Sequence, residues 1–227
     1  MRKDLTDITI LLDRSGSMYS VVDDTIGGIN KFIEVQTKAP GNATLTLIQF
    51  DNQYETVYLA KPVEEAPKLT KDTFVPRGST ALYDAICRAM DDTGRRLEAT
   101  ADEDRPGLVI FAIMTDGYEN SSKTRKIHDV NDRISTQRDQ YSWQILFLGA
   151  NQDAIAEASK MGINPGFAMS YAATGPGTHA AIGATGLNVT RARAAFVNTG
   201  SSAAAGQMLN YSKAQRDEQE NEMKKGS

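Results

Sequence analysis

Three short stretches of this chain carry oxygen donors at spacings that suit a hard cation. The first is Asp13-Arg14-Ser15-Gly16-Ser17, which offers one carboxylate and two hydroxyls. The second is Gly78-Ser79-Thr80, and the third is Thr115-Asp116-Gly117. Hydroxyl and carboxylate oxygens are the ligands that Mg²⁺ and Mn²⁺ accept, with several positions left to water. No single stretch fills an octahedron. A site begun by Asp13, Ser15 and Ser17 therefore needs other loops at the same place, and Thr80 and Asp116 are the candidates.

For these stretches to meet, each must lie at the end of an element along one edge of a sheet. Residues 8–12 (Ile-Thr-Ile-Leu-Leu) are apolar and partly β-branched, which predicts a buried strand ending at Asp13. Gly16 permits a tight turn, and Ile26, Ile29 and Ile33 then recur at helical spacing. Residues 108–114 are nearly all apolar, as a central parallel strand covered on both faces must be, and Asp116 follows almost directly. Thr80 opens a helix over residues 81–99, with Leu82, Ile86, Ala89, Met90 and Leu97 on one side. In open α/β sheets, ligands bind outside the carboxyl ends of the strands.

The remaining pattern completes such a sheet. A helix is predicted over residues 21–36, then a strand over 43–50, a turn at Asp51-Asn52 and a returning strand over 54–59. Ile127, Val130 and Ile134 mark a helix within 123–140, and a strand follows over 143–148. A short helix over 151–161 stops at Gly162, and 167–171 makes a last edge strand. The expected fold is α/β: a doubly wound, mostly parallel central sheet with one antiparallel edge strand and helices on both faces. Residues 1–172 are expected to form this domain, and 173–211 an Ala/Gly-rich helical extension. In that extension Gly175-Pro176-Gly177 reads as a turn before a helix over 181–197, weakened by Gly183 and Gly186. Residues 212–227 are polar and read as a solvated helix end or a disordered tail.

Taken together, Asp13-x-Ser15-x-Ser17, Thr80 in Gly-Ser-Thr-Ala-Leu-Tyr-Asp-Ala-Ile, and Asp116 in Thr-Asp-Gly resemble a von Willebrand factor A (VWA) domain. They match, in order, that family's metal-ion-dependent adhesion site, and the resemblance covers about residues 5–171. It implies a Rossmann-like VWA fold holding Mg²⁺ (or Mn²⁺). Ser15, Ser17 and Thr80 would be direct ligands, with Asp13 and Asp116 acting mostly through water. Neutral direct ligands leave the cation electrophilic on its open face, where an Asp or Glu of a protein partner completes the coordination. The resemblance also suggests the compact bacterial or phage type, an adaptor working beside an ATPase-associated complex.

Other readings of the same residues stand beside this one. Asp13 and Ser15 would also suit a helix cap, Thr80 a second cap with Asp84 nearby, and Asp116-Gly117 an ordinary turn. A metal-dependent hydrolase or phosphotransferase is the enzymatic alternative, since Asp13 stands where a nucleophilic aspartate would. Against it, Ser15 occupies the place of the second acid such a phosphotransferase needs. The only histidines, His128 and His179, fall on a polar helix and in the extension. The chain therefore reads as a binding module rather than an enzyme. A structural assembly subunit with a vestigial site would be expected to have lost part of the motif, and none of it is missing.

Composition narrows the setting. A formal charge of −4 without clustered Lys and Arg argues against a nucleic-acid partner. The glycines of the extension lack Walker spacing and a following Lys. The single cysteine, Cys87, excludes an intramolecular disulfide, fits a reducing compartment and falls in a helix as a packed thiol. A charged N-terminus and the lack of a membrane-length apolar run lead to the expectation of a cytoplasmic protein with no membrane partner.

Overall fold

The computed structural model describes residues 1–150 and 153–225. Among these residues six strands form one sheet in the order β3-β2-β1-β4-β5-β6. They are β1 (Arg2–Asp13), β2 (Asn42–Phe50), β3 (Tyr54–Pro62), β4 (Pro106–Thr115), β5 (Gln144–Ala150) and β6 (Ala168–Tyr171). All pairings are parallel except β2 with β3, so the hairpin places the one antiparallel strand at an edge. Strand β1 extends well before residue 8, because its first residues also pair with β2 and β4.

Among the described residues seven α-helices cover the sheet: α1 (Val22–Thr37), α2 (Leu82–Glu98), α3 (Ile127–Tyr141), α4 (Ala154–Lys160), α5 (Gly175–Thr199), α6 (Ser202–Leu209) and α7 (Lys213–Lys225). The start expected for the fourth, at residues 151 and 152, lies outside the described residues. Side chains alternate across a strand, so β1 and β4 feed two cores. On one face Ile8, Ile10, Ile110 and Ala112 pack with α1, α5 and α6. On the other, Leu11, Phe111 and Ile113 pack with α2, α3 and α4. Strand β4 is buried along nearly its whole length, as its unbroken apolar run requires.

The segment after β6 departs from its sequence reading. Gly175-Pro176-Gly177 is no turn but the first turn of α5: Thr174 caps it by accepting from the Gly177 N–H, and Pro176 fits a helix start. The glycines that weaken such a helix in isolation serve close approach here. A Cβ on Gly186 would lie 3.3 Å from the Phe32 ring of α1, and one on Gly28 would lie 2.8 Å from Ile182 of α5. Arg193, fully buried, fastens the two helices by donating to the carbonyls of Gln36 (2.6 Å) and Gly41 (2.8 Å). The polar C-terminal run forms α7, where Gln219 is buried against the Ala172 N–H and the Gly177 carbonyl.

Candidate metal centre

The winding of the sheet reverses at β1, which has β2 on one side and β4 on the other. The carboxyl ends of β1 and β4 are thus a topological switch point, the crevice where such sheets take ligands. Asp13 is the last residue of β1, and Asp116 follows the last residue of β4. Between β1 and α1 the chain makes a tight helical turn at Gly16–Val21, which places Ser15 and Ser17 over the same edge.

The hydroxyls and carboxylates meet there. The Ser15 and Ser17 hydroxyls are 3.1 Å apart, and Ser17 Oγ donates to Asp116 Oδ1 at 2.6 Å. A Cβ on Gly117 would lie 3.3 Å from Thr80 Oγ1 and 3.8 Å from Ser17 Oγ, so the hydroxyls from two distant loops flank this glycine. Thr80 arrives through the backbone: Gly16 donates to the Gly78 carbonyl (3.2 Å), and the Thr80 N–H donates to Asn120 Oδ1 (2.9 Å). Gly78 has φ +67° with the Asn52 amide oxygen seated where a side chain would be, so only glycine fits.

Three local expectations change. Thr80 does not itself open the helix. It is buried, two residues ahead of α2, whose cap position is Ala81. Asp84 does not cap with it; it accepts from the Lys123, Thr124 and Arg125 N–H groups. Asp13 and Ser15 do not cap α1 either. That helix begins after Val21, and the Ser15 side chain makes no capping bond to the turn it precedes.

The electrostatics of the two carboxylates are unusual. Asp13 is wholly buried, accepting from Thr115 Oγ1 at 2.6 Å and from the Ser15 N–H at 2.7 Å. Burial pushes it up to about 6, the two hydrogen bonds oppose that, and the neighbouring Asp116 charge adds to it. Asp116 is likewise pushed up by burial, against the bond from Ser17. Neither carboxylate has an ion pair among the described residues. The basic residue nearest in sequence, Arg14, turns away to Asp51 (3.1 Å), Gln49 (3.2 Å) and Glu55 (2.7 Å).

Two residues of this arrangement escaped the sequence reading. Thr115 belongs to the third oxygen-donor stretch, but nothing local in the sequence shows that its hydroxyl orients Asp13. Asn120 holds the Thr80 loop, and beside it Glu119 accepts from the N–H groups of Tyr83, Ser121 and Ser122. Hydroxyl and amide residues in a polar loop carried the only signal. Tyr19 and Tyr118, adjacent in sequence to the site, are exposed, whereas Tyr83 is half-buried. His128 and His179 are exposed on α3 and α5 and belong to no catalytic arrangement with the serines. Among the described residues no group of three His, Cys, Asp or Glu side chains could hold a metal ion, so a cation here would depend on the hydroxyls.

A sequence profile of the von Willebrand factor type A domain matches residues 7–179. This chain belongs to that family. No curated protein matches the sequence significantly. Solved VWA-type structures share the fold at low identity. Proximal thread matrix protein 1 from the mussel byssus, in a form described as having a zinc-occupied MIDAS motif, superposes with a TM-score of 0.57 at 15% identity. That match covers 78% of this chain and 46% of the byssus protein, so this VWA chain spans less than half its length. Manganese-loaded TRAP protein of Plasmodium vivax gives 0.52 at 15% identity, over 76% of this chain and 70% of that one. A von Willebrand factor type A protein from Catenulispora acidiphila gives 0.55 at 14% identity, over 85% and 42%. VWA relatives thus include proteins with a divalent metal bound. Among the described residues of this VWA chain, no helix is long and apolar enough to cross a membrane.

Proposed function

We propose that this VWA domain is a metal-dependent protein-binding adaptor that captures an acidic side chain of a partner through a Mg²⁺ (or Mn²⁺) site. The observation that carries this reading is the donor set: three hydroxyls and two carboxylates converge at the switch point, and the buried Asp13 has no cationic partner among the described residues. An all-oxygen set with no imidazole or thiolate suits a hard ion. Ser15, Ser17 and Thr80 would hold it, with Asp13 and Asp116 balancing its charge, mostly through water. A bound divalent ion would supply a Lewis-acidic position open to one further anionic oxygen. The chain's own residues then do the rest. Thr115 and the Ser15 N–H fix Asp13, Asp116 orients the Ser17 hydroxyl, and Asn120 holds Thr80 in place.

The partner in this reading is a protein presenting Asp or Glu, in the setting of an ATPase-associated complex, with neither nucleic acid nor membrane as partner. Cys87 is the one cysteine of the chain and can form no intramolecular disulfide, which suits the cytoplasmic location of this proposal. Catalysis is not part of the proposal, because among the described residues neither histidine is hydrogen-bonded to Ser15 or Ser17, and Asp116, which accepts from Ser17, is assigned to the metal. Co-purification from the native host tests it, comparing wild type, Thr80→Ala and wild type in EDTA. The expected result is a partner retained only by metal-replete wild type; equal recovery in all three contradicts metal-completed recognition.

A further inference from the structure

Next to the hydroxyl cluster lies a groove of about 470 Å³. It opens at the β2–β3 turn and at Ala81, the residue after Thr80, and follows α2 along Asp84, Arg88, Asp91 and Arg95. Those positions share one helix face and span about 16 Å. Arg125 also lines the groove.

The carboxylates of this groove are already engaged within the chain. Asp51 accepts from Arg14 and Arg77, and Asp91 pairs with both ends of Arg133 at 2.9 and 3.1 Å. Asp84 accepts from three successive backbone N–H groups and the Thr124 hydroxyl. The arginines are not matched in the same way. One carboxylate, Asp92, serves both Arg95 and Arg88, the latter at 3.7 Å. Arg88 otherwise lies 4.2 Å over the Tyr54 ring, which leaves the edge of its guanidinium open. No hydrogen bond or ion pair to the Arg125 guanidinium occurs among the described residues; its contact to Asp84 is through the backbone.

We propose that this groove binds an acidic peptide segment of the protein whose carboxylate reaches the hydroxyl cluster. The inference rests on the metal-dependent reading for the identity of that partner, while the groove itself stands on its unmatched arginines. An extended peptide advances about 3.3 Å per residue, so about five residues cover the α2 face. Guanidinium forks take carboxylates in bidentate pairs, and the exposed Asn52 offers an amide suited to a peptide main chain. Asp84 and Asp91 interrupt the arginines, which disfavours a continuous phosphate backbone and favours discrete carboxylates.

The test is fluorescence anisotropy with a labelled oligoglutamate peptide, first in EDTA and then in Mg²⁺. In EDTA, wild type should bind oligoglutamate, and the double variant Arg88→Gln/Arg125→Gln should bind about tenfold more weakly. Both arginines are at least partly solvent-facing, and thermal melting checks that the variant is folded. Added Mg²⁺ should tighten wild type and the double variant by the same factor, but leave Thr80→Ala unchanged. Loss of the Mg²⁺ response alone would reject the metal reading and leave the groove standing. The groove is rejected if wild type does not bind in EDTA, or if the double variant binds as wild type does. Oligothymidylate binding at least as tightly, with the same arginine dependence, would also reject it in favour of a nucleic acid.

Discussion

Two aspartates at the same sheet edge, Asp13 and Asp51, are equally hidden from solvent and oppositely supplied. Asp51 follows β2 and receives two guanidinium groups, Arg14 at 3.1 Å and Arg77 at 2.9 Å. Asp13 ends β1 and receives a hydroxyl and an amide N–H, but no cationic side chain among the described residues. The first is a finished ion cluster: it ties the Asp13–Ser17 stretch to the hairpin turn and to the approach to Thr80. The second carries a burial cost that its two hydrogen bonds offset only in part. The contrast teaches that Arg14, inside the Asp-x-Ser-x-Ser stretch, stabilises its surroundings without neutralising the carboxylate beside it. In the proposed function, a divalent ion would balance the charge of Asp13.

The harshest way to probe this contrast is a buried carboxylate with no donors at all. Ile110→Asp would place one in the centre of β4, between both helical layers. Its cost should rival the whole ~5–15 kcal/mol that holds a domain together. The expected result is insoluble or non-cooperatively melting protein by circular dichroism; a soluble, cooperative melt would contradict the position assigned to β4. Asp51→Ala should come next, because it takes the buried carboxylate from Arg14 and leaves it Gln49 and the more exposed Glu55. A loss of about 3–5 kcal/mol in urea unfolding is expected, with or without metal. A loss below about 1 kcal/mol would show that the cluster is not what braces these loops.

The matching change at the other carboxylate should act in the opposite sense. Asp13→Asn keeps the shape and removes the uncompensated charge, so metal-free protein should gain about 1–2 kcal/mol in the same assay. Wild type, in contrast, should gain stability on adding Mg²⁺ or Mn²⁺, by about 2.7 kcal/mol at a hundredfold excess over Kd, and the variant should not. A less stable metal-free Asp13→Asn would mean that the carboxylate is already compensated. Thr80→Ala should be the mildest for the fold. No hydrogen bond to the Thr80 hydroxyl occurs among the described residues, and a loss of about 1 kcal/mol or less is expected, with metal affinity falling nonetheless. Unchanged metal affinity would remove Thr80 from the ligand set.

Local patterning made much of the fold legible. The apolar run of β4 and the ends of β1 and α2 are written in consecutive residues, where period and burial act directly. The convergence of Asp13, Ser15, Ser17, Thr80 and Asp116 on one edge was legible only because each follows or precedes such an element. What escaped depends on partners far apart in the chain. Asp51 reads as half of an Asp-Asn turn until Arg14 and Arg77 are brought to it, and Thr115 reads only as the neighbour of Asp116 until Asp13 faces it. Gly175-Pro176-Gly177 misled for a different reason: Thr174 before Pro176 is a local helix-start signal that the two glycines masked. The buried Gln219 of α7 could not be found locally, since its partners lie about β6 and the start of α5.

The central claim is that the charge of Asp13 is completed by a divalent ion held with the hydroxyls. Calorimetric titration of wild type and Asp13→Ala with Mg²⁺ and with Mn²⁺ tests it most directly. Saturable binding of one ion per wild-type chain, lost or strongly weakened in Asp13→Ala, is the predicted result. No binding by wild type, or equal binding by both proteins, would contradict it.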